Sequence, residues 1–411
     1  MLSTNKWRSA AGGFAVAAII AGCGGTNGPS PTSSSGADYS GKTISLGAVI
    51  SLNGPGSVYG VQQRNGIQLA VDTINKNGGV NGGKIAVDIQ DDGSTQQQGA
   101  QVFQTEIQAG KVLGVIGPTL SNTAIAAHPV ANAAKTPVIA PSNTGNGIVG
   151  NCPYPCDFIF RDSLGEATAI PDNVKTAVKN LHPKKAVLFY ATDDKFSSDG
   201  AKIFQQAFTD NGITVPDGGV LQFSKTESSF KEYVTTALSK NADIWAISSL
   251  GGIPAKVMIE ARTQGYKGPF LGGNGFNTYQ VSQQAGESGK GAQSGSAYFV
   301  GTDSATNKAF VDAYKARFKD AQGTPQLPDQ IAAQAYTAVE VFAQAAKDAH
   351  LRFTDLAADR VKLRDALAKV SVDSPLGQFS FNAQHDVHQK VFVTGMDGKG
   401  GFILVDTYEA K

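Results

Sequence analysis

Side chains that commonly carry chemistry are thinly spread in this chain. It has 5 histidines and 3 cysteines among 411 residues. A metal site needs three or four such ligands close together. His385 and His388 lie three apart in a predicted turn and, without a third ligand, read as solvent-facing. His128 and His182 each precede a proline near a helix and show no partner. There is no G-x-S-x-G elbow, no G-x-x-x-x-G-K-[ST] phosphate loop and no H-E-x-x-H helix. Gly286-Glu287-Ser288-Gly289-Lys290-Gly291 is glycine-rich, but its spacing is wrong for phosphate and it reads as a surface turn. Charged residues are 17% of the chain, and no acid/base pair stands out in the loops. The expectation is therefore a protein that is not an enzyme and has no metal or cofactor.

The cysteines divide into two kinds. Cys152 and Cys156 bracket Pro-Tyr-Pro and could close a small disulfide ring, with two free thiols as the alternative; C-x3-C alone is weak evidence for metal. Cys23 follows a positive segment (Lys6, Arg8) and an apolar run from Ala10 to Ala21. That run is too short for a bilayer, which takes about 20 residues, and fits a secretory signal. Ile20-Ala21-Gly22-Cys23 resembles the lipobox of bacterial lipoproteins. The resemblance implies a signal peptide over 1–22, cleavage before Cys23 and a lipid on its sulfur. An ordinary secretory signal with an incidental cysteine is the other reading. Residues 23–41 are rich in Gly, Ser, Thr and Pro and predict a flexible lipidated tether. No later apolar run is long enough to span a membrane.

Lys+Arg is 35 and Asp+Glu is 34, a balance that argues against a nucleic-acid partner. Hydrophobic residues are 41%, enough for real cores. From Thr43 onward, short apolar runs alternate with helical stretches. Ile44–Ile50, Ile85–Ile89, Val112–Ile116, Val138–Ala140, Ala186–Tyr190, Ile244–Ile247 and Phe270–Gly272 read as strands. Helices are expected at about 61–76, 94–109, 122–134, 197–211, 229–240 and 254–265. Later helices at about 305–320, 328–348 and 356–369 precede strands around 377–381, 390–395 and 401–406. This alternation predicts an α/β fold with parallel sheets covered on both faces, in two Rossmann-like lobes. Ligands of such sheets sit beyond the carboxyl ends of the strands. The loops there (52–59, 119–121, 141–144, 191–196, 248–252 and 273–277) are rich in Gly, Ser, Asn and Thr.

In this order, these loops resemble those of the type I periplasmic binding proteins of the leucine/isoleucine/valine-binding group. The carrying stretches are Leu46-Gly47-Ala48-Val49-Ile50-Ser51, Gly54, Gly60, Gly66, Leu69-Ala70 and Asn75. Further on come Asn77-Gly78-Gly79-Val80-Asn81-Gly82, Asp91-Asp92, Pro137-Val138-Ile139-Ala140-Pro141 and Phe160-Arg161. The resemblance covers roughly 43–400. It implies two lobes joined by a three-segment hinge, with crossings near 162–165, 298–301 and 375–385. Lobe 1 is then 42–162 plus 301–378, and lobe 2 is 163–300 plus 379–411.

The resemblance also implies a site. Ser121, expected to cap a helix, falls where the family binds a ligand carboxylate. Ser142 offers a backbone carbonyl to an ammonium, and Thr144 touches both charged groups. Tyr59 packs beside the ligand, and Phe196 closes over it. Asn274 stands where the amino-acid binders carry a glutamate for the ammonium; Asp193 or Asp194 is the expected compensation. Ser249-Leu250-Gly251-Gly252 lacks the aromatic expected there. The implied function is the extracytoplasmic substrate-binding component of an ABC importer, a monomer lipid-anchored to the cell membrane, meeting ABC permease subunits. Its solute is an amino acid of the branched-chain type. Alternatives are a small carboxylate, amide or urea-like solute, or a solute-sensing ectodomain.

Overall fold

Short runs of Val, Ile, Leu and Phe bounded by Gly, Pro and Asn form strands buried on both faces, as parallel sheets require. A computed structural model describes residues 37–409. The expected signal peptide and the expected lipidation site, Cys23, lie outside the described residues. The chain begins with β1 (Thr43–Ile50), α1 (Ser57–Lys76), β2 (Lys84–Asp91), α2 (Gln96–Gln108), β3 (Gly114–Ile116), α3 (Ser121–Ala133), β4 (Val138–Ala140) and β5 (Ile159–Arg161). It continues through α4 (Glu166–Leu181), β6 (Ala186–Ala191), α5 (Lys195–Asp210), β7 (Val220–Phe223), α6 (Lys231–Ser239), β8 (Ile244–Ser248), α7 (Ile253–Thr263), β9 (Phe270–Gly272), α8 (Tyr279–Ala285) and β10 (Gln293–Ser296). Last come α9 (Ala305–Arg317), α10 (Gln330–Asp348), α11 (Leu356–Leu367), β11 (Ser371–Ser374), β12 (Gly377–Phe381), β13 (Val387–His388), β14 (Val391–Met396) and β15 (Phe402–Tyr408).

The first sheet has the order β2-β1-β3-β4-β5, all parallel. The second has the order β15-β14-β10-β9-β8-β6-β7. Its β7-β6-β8-β9-β10 portion is parallel and repeats the winding of the first sheet, while β14 and β15 return antiparallel. Apolar clusters cover both faces of each sheet. In the first lobe, Ile44, Leu46 and Ile50 pack against Ile67, Val339 and Phe342 from α1 and α10. The opposite face packs Val49, Val115 and Val138 on Phe103, Ala127 and Ala131 from α2 and α3. The second lobe does the same, with Trp245 and Phe270 on one face and Leu188 and Ala246 on the other.

Helix α1 stops at Asn77-Gly78-Gly79, where φ of +97° and +71° at the two glycines reverses the chain. Helices α2, α5, α8, α9, α10 and α11 start at Thr95, Asp194, Thr278, Ser304, Asp329 and Asp355, whose side chains accept the orphan N–H groups of the first turn.

Three expectations need correction. The tether does not run to residue 41. Tyr39 is 1% exposed, its hydroxyl donates to the Ala346 carbonyl and accepts from Leu351 N–H, and its ring meets Phe353 edge-on. A buried aromatic with both hydrogen bonds satisfied fastens this segment to the first lobe. The chain also returns to the second lobe later than residue 379. Strands β11, β12 and β13 form a small antiparallel sheet, and Phe379 and Phe381 pack in the first core. The third crossing therefore falls between β13 and β14, near 389–390. The other two lie at 162–165 and 297–304. Finally, His385 is not solvent-facing: its ring stacks on Phe160 at 4.1 Å.

Candidate functional site

In a sheet wound 2-1-3-4-5, the loops after the first and third strands leave in opposite directions and open a crevice. Both lobes have this winding, and their crevices meet. The cleft between them holds a pocket that is partly open to solvent. Tyr59, Thr119, Leu120, Ser121, Ser142 and Thr144 line it from the first lobe; Phe196, Leu250, Asn274 and Gly275 line it from the second; Gln330 and Ile331 come from the start of α10. Tyr59, Ser121, Ser142, Thr144, Phe196 and Asn274, named from sequence, thus surround one cavity. Leu250 fills the wall where an aromatic was expected.

Ser121 is not the helix cap. Leu120 holds that position with an extended backbone, and no side chain caps α3. Ser121 is the first helical residue, and its Oγ accepts from Gly145 N–H at 3.3 Å. Its hydroxyl proton is left to point elsewhere, beside the N–H groups of the uncapped first turn. Such a helix start favours an anion.

Ser142 spends its hydroxyl internally, donating to the Thr119 carbonyl at 2.6 Å and accepting from Gln63 Nε2 at 2.7 Å. Thr144 Oγ1 donates to Glu166 Oε1 at 3.3 Å. Arg161 grips the loop on either side of Thr144, donating to the carbonyls of Asn143 and Gly145 at 3.2 and 2.9 Å. Its Nε holds Asp386 at 2.8 Å. Sequence reasoning gave Arg161 no role, because its partner lies 225 residues away.

Tyr59 crosses the cleft. Its hydroxyl accepts from Gly251 N–H at 2.9 Å and donates to the Gly275 carbonyl at 3.5 Å. Burial pushes the phenol well above its usual range. Asn274 is held at both atoms of its amide: Nδ2 donates to the Leu164 carbonyl at 3.0 Å, and Oδ1 accepts from Gln330 Nε2 at 2.9 Å. The backbone N–H of Asn274 donates to Glu166 Oε1 at 2.8 Å. Glu166, the first residue of α4, is fully buried. Loss of hydration pushes its carboxyl up to about 7, against the opposing pull of the Asn274 and Thr144 hydrogen bonds and of Arg161.

The two aspartates expected to compensate for Asn274 do other work. Asp194 caps α5 through Ser197 N–H at 2.8 Å, and Asp193 accepts from Lys225 N–H at 2.6 Å and Ser224 Oγ at 2.9 Å. Both border an outer groove instead of the cavity. Glu166 and Gln330 were missed. Neither belongs to a sequence motif, and only the fold brings them to Asn274.

Elsewhere, Cys152 and Cys156 are joined by a disulfide in the loop after β4. His128 is buried beside the Gly117 carbonyl and pushed down to about 4 by loss of hydration, so it stays neutral. Among the described residues no group of three or more His, Cys, Asp or Glu is arranged to hold a metal. No described helix is long and apolar enough to cross a membrane.

The chain matches the family model for periplasmic binding proteins over residues 43–401. It is 25% identical over 348 residues to a leucine-, isoleucine-, valine-, threonine- and alanine-binding protein of Pseudomonas aeruginosa, covering 84% of this chain and 87% of that one. A branched-chain amino acid transporter substrate-binding protein, LivJ, from Streptococcus pneumoniae in complex with isoleucine superposes with a TM-score of 0.77 at 28% identity, covering 90% of this chain and 99% of that one. A solute-binding protein of an ABC transporter from R. palustris in complex with benzoate superposes with a TM-score of 0.78 at 22% identity, covering 90% and 97%.

Proposed function

The chain belongs to the periplasmic binding protein family, and from that premise we propose that it captures a small carboxylate-bearing solute, of the branched-chain α-amino-acid type, for an ABC importer. The observation that carries this reading is the cavity itself: an uncapped helix start with the Ser121 hydroxyl on one wall, and apolar Phe196, Leu250 and Ile331 on the others. The first suits a carboxylate. The second suits an aliphatic side chain. Its work is binding and release, with no bond broken. The lobes close by hinge motion, and the closed form is what permease subunits recognise. The protein is a monomer outside the cytoplasm, held to the membrane by a lipid on Cys23. Ser142 contributes its carbonyl to the solute and Thr144 its hydroxyl, while Tyr59 and Phe196 flank it.

A specific observation keeps a second solute class in view. None of the residues lining the cavity carries a formal charge, so a carboxylate without an ammonium also fits. Calorimetric titration of the mature chain with leucine, isoleucine, valine and their amine-free analogues tests the reading. The expected result is saturable binding with a fall in solution radius. Binding of no small carboxylate or amino acid would overturn it.

A further inference from the structure

A zwitterionic solute brings an ammonium as well as a carboxylate into the cleft. Burying that cation without a counter-charge is costly, and the walls present only uncharged side chains. The carboxylate of Glu166 stands directly behind two of those wall residues. Its Oε1 holds Thr144 Oγ1 from the first lobe and Asn274 N–H from the second. Its Oε2 is buried with no hydrogen-bond partner. A side chain at 273 would place its Cβ 2.9 Å from both oxygens, so Gly273 leaves the carboxylate uncovered on that side. Arg161, whose field reaches Glu166, is committed to Asp386 and two carbonyls.

We propose that Glu166 is the buried counter-charge for the ammonium of an amino-acid solute, acting through Thr144 and the Asn274 segment. This inference rests on the solute-capture reading above. The hydrogen-bond direction supplies the mechanism. While Glu166 is ionised, the Thr144 hydroxyl must donate to it, and the lone pairs of Thr144 Oγ1 are left to accept from an ammonium. Once Glu166 is protonated, Thr144 is free to turn its proton toward the cavity, and both the acceptor and the negative field are lost. Glu166 is thus a positioning residue that sets the preference between amino acids and plain acids.

The test pairs leucine with 4-methylpentanoate, which has the same side chain and carboxylate but no ammonium. Each is titrated into the wild type and Glu166→Gln at pH 8. The glutamine keeps an oxygen for the Asn274 N–H, and unchanged 4-methylpentanoate binding shows that the variant is folded. The expected loss for leucine is about ten- to a hundredfold, the size of a charge-assisted contact, and for 4-methylpentanoate about threefold or less. Glu166→Asp should restore part of the leucine affinity. At pH 5.5 the wild-type preference for leucine should shrink toward that of Glu166→Gln. Besides Glu166, the ionisable groups whose fields meet there are Arg161, already paired with Asp386, and the un-ionised Tyr59. Equal losses for both solutes, or no loss for leucine, would overturn the proposal. A wild type that binds 4-methylpentanoate but no amino acid would overturn it while leaving solute capture standing; a wild type that binds neither class would overturn both.

Discussion

In the proposed reading Ser121 and Glu166 act on opposite ends of a zwitterion, and this makes their roles separable. Ser121→Ala removes a donor from the carboxylate end, which leucine and 4-methylpentanoate share. Both should weaken together, by about 1.5–3 kcal/mol in calorimetry; a loss confined to leucine would contradict the anion role. Glu166 has a second consequence, in stability. Its carboxyl is raised from 4.5 to about 7 by burial. Between those values the ligand-free folded state holds a proton that the unfolded chain has released, so stability falls as pH rises through this window and levels off above it. Glu166→Gln cannot ionise. The ligand-free variant should therefore melt higher than the wild type at pH 8, by roughly 2–4 kcal/mol of relieved burial cost, and nearly alike at pH 4.5. Denaturant titrations at the two pH values measure this, and a constant difference between them would exclude Glu166 as the titrating group.

At the scale of elements, the placing of α10 matters most, because Gln330 and Ile331 at its start form part of the cavity wall. It lies against α1 at Gly66, where a Cβ would come 2.2 Å from the Ala332 carbonyl. No rotamer relieves a clash with backbone, so Gly66→Ala should push the helices apart, costing about 1–3 kcal/mol. It should also weaken solute binding with no contact to the solute; a thermal melt and a titration on the same sample check both, and unchanged values would show the crossing to be more yielding than it looks. Gly66 was visible in sequence only as a spacing shared with a family; the close helix crossing is its physical reason. Most of the strongly apolar strands and long helices were legible for the same reason they are stable, a buried face with regular period, but β5 (Ile159–Arg161) and α4 (Glu166–Leu181) were not among the expected elements. Strand β10 was not legible either. Its sequence, Gln-Ser-Gly-Ser, looks like a loop, yet Gly295 would place a Cβ 2.4 Å from the Ala169 carbonyl of α4. The serines beside it hydrogen-bond inward to Asn277 and Gln330. Small polar residues are what that crowded crossing permits. The loops at the carboxyl ends of the strands were legible as the lining of one cleft because the winding order directs them there. The partners of Asn274 were not, since hydrogen bonds spanning 56 and 110 residues leave no local pattern.

At the scale of the whole molecule, closure is held in part by contacts that never reach the cavity. Asn122, at the start of α3, takes Lys195 N–H at 2.8 Å through Oδ1 and gives Nδ2 to Asp194 at 3.3 Å, both at the start of α5. Nearby, Asn146 N–H donates to Asp199 at 3.0 Å. These bonds join the first lobe to the second at the cleft mouth, so they exist only while the lobes are together. A solute that needs the closed form binds with an apparent affinity reduced by the fraction of molecules already closed. Removing Asn122 takes away two ordinary hydrogen bonds, each worth about 0.5–1.5 kcal/mol, and shifts that fraction toward open. Asn122→Ala should therefore enlarge the solution radius of the ligand-free protein and weaken binding several-fold. At saturating solute its radius should match the wild type, because the solute supplies the missing free energy. Small-angle scattering with and without solute separates this from damage at the site, which would leave the saturated radius large. Trp245, the one tryptophan of residues 37–409, gives an internal control: it stacks on Tyr266 at 3.9 Å inside the second-lobe core. Its fluorescence should report unfolding of that lobe and stay constant through closure. A radius unchanged by Asn122→Ala, with affinity also unchanged, would mean that the remaining cross-lobe contacts, those of Tyr59 and Asn146 among them, hold the lobes together without Asn122.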